Sequence, residues 1–330
     1  MTNPYSDVSF WFDSLDDVSE PELADLPAQC EVAIIGAGFT GLWTAYYLKQ
    51  KKPDLDISIF EAETVGFGAS GRNGGWCMGE AYGLDAYEKD PTRRDAGMRL
   101  RREMFNTVDE VGRICQAEDI DCHYAKGGWL TVAHLPFHAG QIQKQIAAKH
   151  ALGFTEDDYR WLPPAEARSR ISIAEAHGAG YSRHCAAIQP ARLARGLGEV
   201  VRQKGVRIYE RTAATSLQPG LVTTNRGQIK ASVILRATEG YTASLKGHKR
   251  NLMPLYSMVT ATEPLPENVW SNIGLSQREV FGDPRRLVIY GQRTLDDRLV
   301  LGGRAGYFFG SKRLATIGRD NPNVQHVEKV

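Results

Sequence analysis

The sequence predicts a mixed α/β (α+β) chain in which a parallel, doubly covered sheet is interleaved with a second domain built on a largely antiparallel sheet. Three observations predict it. A continuous apolar run, Glu31 to Ile35, leads through glycines into an apolar-faced helical stretch and then a second apolar run, Ile57 to Glu61, which is the signature of a βαβ unit. A helix-then-strand pattern returns at Gln189 to Tyr209. After residue 250 the pattern changes to runs of strand length separated by turns such as Asp296-Asp297, as in antiparallel sheet.

Each element has a local reason. Glu31 to Ile35 has no polar alternation, which suits a central parallel strand. From Gly41 to Lys49, Leu42, Ala45, Tyr46 and Leu48 fall on or near one helical face, and Pro53 prevents extension. Residues 91–118 carry Met98, Leu100, Met104, Val108 and Val111 at helical spacing, and Gly127-Gly128 turns into a strand from Trp129 to Ala133. Helices are expected at 138–150 and 164–172, the second started by Pro163-Pro164. Gln189-Pro190-Ala191 opens a helix that Gly205 ends, and Val206 to Tyr209 follows as a strand. Short strands are expected near 212–217, 220–224, 227–230 and 232–236, and longer ones at 252–262, 278–282, 286–291 and 298–304. With no Gly/Ser/Pro-rich linker, the alternation divides the chain into a discontinuous Rossmann-like domain, 1–90 with 185–245, and a second domain, 91–184 with 246–330.

Composition excludes several function classes. The 330 residues carry a net charge of +1, which gives no electrostatic case for nucleic acid or an anionic membrane. The basic cluster Arg93, Arg94, Arg99, Arg101 and Arg102 is interleaved with Asp95 and Glu103 and reads as a solvated helix face. Five cysteines without CxxC spacing and eight scattered histidines suggest no disulfide framework and no metal site. The acidic residues 1–30 lack a signal-peptide pattern and no apolar run is long enough to span a bilayer, so a cytoplasmic location is expected. Phe10, Trp11 and Phe12 are expected to pin this arm to the body of the protein.

Two glycine clusters carry the chemistry. In Gly36-Ala37-Gly38-Phe39-Thr40-Gly41, Gly36 permits the tight turn, Gly38 leaves room for a pyrophosphate and Gly41 lets helix and strand pack closely. The helix N-terminus then faces the phosphates. Glu61 closes the second strand about 20 residues beyond Gly41, where an acid accepts hydrogen bonds from ribose hydroxyls and disfavours a 2′-phosphate. This unit alone leaves NAD and FAD open. The second cluster, Gly66-Phe67-Gly68-Ala69-Ser70-Gly71-Arg72-Asn73-Gly74-Gly75, combines small residues that fold against a bulky ligand with donors from Ser70, Arg72 and Asn73. It favours a ligand cradle over a flexible surface loop.

Together these segments resemble the D-amino-acid oxidase-like FAD-dependent oxidoreductases, and within them the gamma-glutamylputrescine oxidoreductase branch. Gln189 to Leu193, Arg236 to Tyr241, Tyr290 to Arg293 and Leu301 to Arg304 resemble later segments of that family, so the resemblance runs from about residue 30 to 311. It implies FAD held through its ADP half by Gly36, Gly38, Phe39, Thr40, Gly41 and Glu61, with Ala69, Ser70, Arg72, Asn73, Gly74 and Gly75 passing the pyrophosphate toward the ring system. It also implies an adenine contact from the backbone near Ala214 and a return loop through Ala237, Thr238 and Gly240. The implied reaction oxidises the carbon–nitrogen bond of an amine or amino acid by hydride transfer to flavin N5. Imine hydrolysis follows, with dioxygen or another acceptor taking the electrons. No protein base is required. Tyr256, Tyr290 and Arg293 are the candidate substrate contacts, since tyrosine offers a polar-tipped apolar wall and arginine a carboxylate grip; a structural strand role is the alternative for each. Trp43 is expected in helix–sheet packing and Cys77 as a small buried hydrophobe. Family members continue into a closing cofactor segment, and nothing after Ser311 resembles it, so a truncated member is expected. Two alternatives stay open beside an FAD amine oxidoreductase: an NAD-dependent dehydrogenase and a catalytically silent dinucleotide-binding fragment.

Overall fold

The computed structural model describes residues 5–7, 9–15, 23–81, 83–252, 257–285 and 289–304. In chain order these form α1 (Phe10–Asp13), β1 (Gln29–Ile35), α2 (Phe39–Lys51), β2 (Ile57–Phe60), β3 (Trp76–Met78), α3 (Leu84–Lys89), α4 (Arg94–Ala117), β4 (Trp129–Val132), α5 (Pro136–Ala151), β5 (Arg160–Leu162), α6 (Pro164–Arg170), β6 (Ala179–Ser182) and β7 (Cys185–Ala187). There follow α7 (Pro190–Gln203), β8 (Arg207–Tyr209), β9 (Ala214–Gln218), β10 (Leu221–Thr224), β11 (Gln228–Arg236), β12 (Ser257–Ala261), α8 (Glu267–Ile273), β13 (Val280–Gly282), β14 (Ile289–Arg293) and β15 (Leu299–Arg304).

The first sheet has the order β8-β2-β1-β11-β10-β9. Its strands β8, β2, β1 and β11 are parallel, and β10 and β9 extend it as an antiparallel meander. The apolar run in β1 now has its cause. Val32 and Ile34 face the helices, packing with Leu42, Ala45 and Tyr46 of α2 and Leu193, Leu197 and Val201 of α7. Ala33 and Ile35 face the other way, toward Phe60, Tyr209, Val222 and Ile229. Both faces are covered, so alternation would be costly.

The second sheet has the order β12-β15-β14-β13-β4-β6-β5 and is antiparallel except for the β13–β4 pair. Its strands come from 129–182 and 257–304, flanking in sequence the segment that returns to the first sheet. A two-stranded ribbon, β3 with β7, links the sheets just after the second glycine cluster and just before α7.

Several elements differ from the sequence expectation. The strands expected at 227–230 and 232–236 are one strand, β11, because Lys230, Ala231 and Val233 all stay in register with β1. The helix expected from 91 starts at Arg94, and residues 84–89 form α3, separated by a turn in which Asp90 accepts from the Thr92 N–H at 2.9 Å. The end of α4 is set by Asp119 at φ +53, where the Ile120 N–H donates to Cys115 O at 2.8 Å, a left-handed helix stop. The short strands β3, β5, β6 and β7 and helix α8 carry no periodic signal of their own.

The basic cluster around α4 contains one residue that is not solvated. Arg101 is 1% exposed and binds Glu80, Glu88 and Asp85, with Tyr159 Oη at 3.1 Å and Lys149 reaching Glu88 at 2.8 Å. This cluster ties α3, α4, α5 and the strand-β5 region into one body. Arg101→Met should leave Glu88 and Glu80 deprived of their shared cation and cost about 3–5 kcal/mol. The measurement is the urea midpoint, and a shift equivalent to under about 1 kcal/mol, the range of a surface pair, would contradict it.

Candidate functional site

The carboxyl ends of β1, β2 and β11 converge, as nucleotide sites in such sheets require. Gly36 leaves β1 at φ +108, and a Cβ there would lie 2.6 Å from Ala237 O. On Gly41 a Cβ would lie 2.1 Å from Gly36 O. Both positions demand glycine because backbone meets backbone. Gly38 caps α2 without a side chain, and Ser70 Oγ accepts from the Phe39 N–H at 2.9 Å. The helix N-terminus thus points into the opening with no bulky group over it.

Glu61 stands at the end of β2. Its Oε2 accepts from the Ala37 N–H at 2.7 Å and its Oε1 from the Glu63 N–H at 3.0 Å. Burial holds its carboxyl above the ordinary glutamate range, against the lowering effect of these two N–H groups. Each oxygen keeps a further lone pair for a hydroxyl donor. The Thr212 N–H reaches Glu61 O at 2.7 Å and the Arg211 N–H reaches Glu63 O at 3.0 Å. The stretch before Ala214 therefore runs beside the acid, while Ala214 itself packs against the second core face.

The two glycine loops are bonded to each other through the Gly66 N–H and Ala37 O at 3.0 Å. Ala69–Gly71 forms a 3-10 turn. Ser70, Arg72 and Asn73, expected to offer groups to a ligand, hold the loop itself. Asn73 Nδ2 donates to Ser70 O at 2.8 Å and its Oδ1 accepts from the Gly75 N–H at 2.9 Å. Arg72 Nη2 donates to Tyr241 Oη at 2.6 Å, with its guanidinium over the Phe67 ring at 4.9 Å. That contact brings in the loop of Ala237, Thr238 and Gly240, which is also fixed by the Ala237 N–H on Ile35 O and by the Thr238–Thr242 hydroxyl pair.

On the other side stands β14. Tyr290 and Gln292, on one face of the strand, press on the second loop. A Cβ on Gly74 would fall 2.3 Å from the Tyr290 ring, and one on Gly75 2.0 Å from Gln292 Nε2. Tyr290 shares a 2.7 Å hydroxyl contact with Ser257, and Trp76 meets its ring edge-on at 5.7 Å, with Trp129 behind at 6.3 Å. Burial raises the Tyr290 hydroxyl above its usual range. Arg293, one residue along, falls on the opposite face. It is paired to Asp297 at 2.6 Å and stacked over Trp270 at 4.5 Å. Of the three candidate contacts the structure thus brings Tyr290 to the cradle and gives Arg293 a hairpin-stabilising place. Tyr256 lies outside the described residues.

Trp43 packs with Tyr46 and Tyr47 on α2. Burial pushes the Cys77 thiol up to about 12, so it is protonated at neutral pH and no ready nucleophile. Trp11 and Phe12 of the N-terminal arm are buried, and the Trp11 indole donates to Asn73 O at 2.7 Å. Sequence reasoning missed Gln292, Trp76, Trp129 and Ser257. The first had a signal: a polar residue two positions from Tyr290 on the inward face of a strand.

A half-buried carboxylate, an uncovered helix N-terminus and two backbone-to-backbone glycine contacts suit the ADP half of FAD, with the second loop left for the ring system. The comparisons agree. The family model "FAD dependent oxidoreductase" matches residues 31–329. Gamma-glutamylputrescine oxidoreductase of Escherichia coli (strain K12) is 29% identical over 292 residues, covering 86% of this chain and 66% of that protein. A probable oxidoreductase of Haemophilus influenzae is 27% identical, covering 97% and 76% respectively. The chain therefore spans about two thirds of the length of the first relative and about three quarters of the second. Glycine oxidase from Geobacillus kaustophilus has the same fold, with a TM-score of 0.68 at 18% identity over 91% of this chain and 76% of that one. L-proline dehydrogenase from P. horikoshii has a TM-score of 0.66 at 15% identity over 92% and 76%.

Gly41→Ala should weaken FAD binding roughly tenfold or more, about 1.4 kcal/mol, because the added carbon collides with Gly36 O; retention of flavin after gel filtration reads this. Glu61 gives a signed pH prediction. Its folded pKa is raised, so between the ordinary glutamate value and the raised one the folded state holds the proton that the unfolded chain has lost. Apoprotein stability from this group therefore falls as pH rises through that window. Hydroxyl donors from FAD favour the ionised form, so FAD affinity rises over the same window. Glu61→Gln should flatten both profiles. A wild-type affinity that is independent of pH there would contradict the assignment.

Proposed function

This chain belongs to the FAD dependent oxidoreductase family, and we propose that it oxidises the carbon–nitrogen bond of a small amine or amino acid. The observation that carries the reading is the wall of Tyr290, Trp76 and Trp129 set directly against the second glycine loop. The Tyr290 ring closes directly on Gly74, so a substrate would lie alongside this wall. The relative named for gamma-glutamylputrescine makes an amine with a flexible polar tail the first substrate class to test.

The chain's own residues do the positioning. Gly36, Gly38 and the N-terminus of α2 hold the phosphates, Glu61 holds the ribose, and the loops at 66–75 and 237–241 enclose the remainder. FAD, when bound, supplies a hydride acceptor. Tyr290, braced by Ser257, offers a hydroxyl beside an apolar surface, which can orient the amine and keep water from the C–H bond. Burial against the rings penalises an ammonium and favours the neutral amine, the form that releases hydride. The imine then leaves to water and hydrolyses to a carbonyl compound and ammonia, or an amine where the substrate nitrogen carries a second carbon. Dioxygen or another acceptor takes up the electrons.

The competing reading, an NAD-dependent dehydrogenase, shares the first βαβ unit but has no use for the second loop and its brace. The test is anaerobic titration with gamma-glutamylputrescine, other monoacylated diamines, glycine, N-methyl amino acids and 2-hydroxy acids. The band near ~450 nm, a property of the oxidised cofactor, should bleach with a nitrogen substrate. Bleaching by 2-hydroxy acids alone, or a colourless protein that takes up NAD, would overturn the reading. Tyr290→Phe should retain FAD and lower kcat/KM about 3- to 10-fold, the worth of one hydrogen bond; stopped-flow bleaching rates measure it.

A further inference from the structure

We infer that Gln292 is a positioning residue of the cofactor loop: its amide turns the Gly74 and Gly75 carbonyls toward the substrate-side sheet and leaves the loop's other edge for the flavin. The inference rests on the FAD reading above and extends it to a residue outside the glycine fingerprints.

Gln292 is wholly buried on β14. Its Nε2 faces three backbone oxygens, Gly74 O at 2.8 Å, Gly75 O at 3.0 Å and Ile188 O at 3.3 Å. The amide cannot sit the other way round, since its oxygen would then face three oxygens. Its Oε1 is buried and has no hydrogen-bond partner among the described residues. The side chain is kept for its donors: an apolar side chain would remove the unpaired oxygen but would also take the amide from three backbone carbonyls. The same strand face carries Tyr290, which presses on Gly74. The neighbouring carbonyls are also held from the protein side: Asn73 O accepts from Trp11 Nε1 at 2.7 Å, and Gly75 O from the Ile188 N–H at 2.8 Å. Three successive carbonyls are thus drawn inward. In a trans peptide the C=O and the following N–H point to opposite sides, so the Gly74 N–H is turned away from the Trp11 contact. The Gly75 N–H is engaged by Asn73 Oδ1, so it is the Gly74 N–H on this edge that suits a ring system that gains negative charge on reduction.

The substitutions are Gln292→Met, which keeps the volume and removes the amide, and Gln292→Glu, which places acceptors against the three carbonyls when ionised and restores one donor when protonated. Three readouts are followed: the FAD dissociation constant, the visible flavin spectrum and the thermal midpoint of the apoprotein. In Gln292→Met the dissociation constant should rise roughly tenfold or more, in the range of a lost buried hydrogen-bond set, the flavin bands should shift, and the apoprotein midpoint should fall as the loop carbonyls lose their donor. In Gln292→Glu the same loss should appear at pH 8 and recover toward wild type as pH falls to 5. Should Gln292→Met not fold, the pH recovery within Gln292→Glu decides alone. Affinity and spectra within twofold of wild type in the folded variants, or no recovery on acidification, would overturn the inference while leaving the FAD reading intact. A wild-type chain that takes up no flavin would overturn both.

Discussion

Backbone approaches backbone at the end of β1 more closely than any side chain allows, and the site follows from that contact. The Gly36 carbonyl lies where a Cβ on Gly41 would have to be, and the Ala237 carbonyl lies where a Cβ on Gly36 would have to be. The first contact sets the angle at which α2 leaves the sheet. The second brings the end of β11, distant in sequence, against the same turn. Once both are made, the N-terminus of α2, the carboxylate of Glu61 and the loop at 237–241 share one opening, and the order of strands β2, β1 and β11 requires nothing further to place them.

The second loop depends on this first contact and then passes the constraint across to the second sheet. Gly66 bonds to Ala37, within the first turn. Eight and nine residues later Gly74 and Gly75 meet Tyr290 and Gln292 of the other sheet. Both faces of the loop are therefore fixed by different sheets, and a small-residue stretch that would be mobile alone becomes a wall of the site. Arg72 completes the enclosure by binding Tyr241.

Much of this was legible in the sequence, and the boundary of legibility is physical. The βαβ unit, Glu61 and the alternation of the two domains show in apolar runs and turn chemistry because those signals are local. The partner of Ser70 is not local, since the Phe39 N–H lies 31 residues away in sequence. Asn73 and Arg293 have partners close in sequence, the loop's own backbone and Asp297, but the turn geometry that presents those groups to them leaves no periodic signal. Ribbon strands of three residues such as β3 and β7 cannot show a period and owe their form to each other. Arg101 illustrates the same limit, since a basic run that reads as solvated hides one guanidinium buried among three carboxylates.

Arg101 and Gln292 also show two different uses of a buried polar group. Around Arg101 the donors and acceptors are matched: three carboxylates, a tyrosine hydroxyl and a lysine surround one cation, and the cluster holds helices together far from the glycine loops. Around Gln292 the matching is incomplete, with donors shared among three carbonyls and an oxygen left over. A complete network can be explained by stability and specificity of packing. An incomplete one is explained by where its donors go: the Gln292 amide reaches the carbonyls of both glycines of the second loop, so the side chain shapes the loop that walls the site as well as joining it to the second sheet.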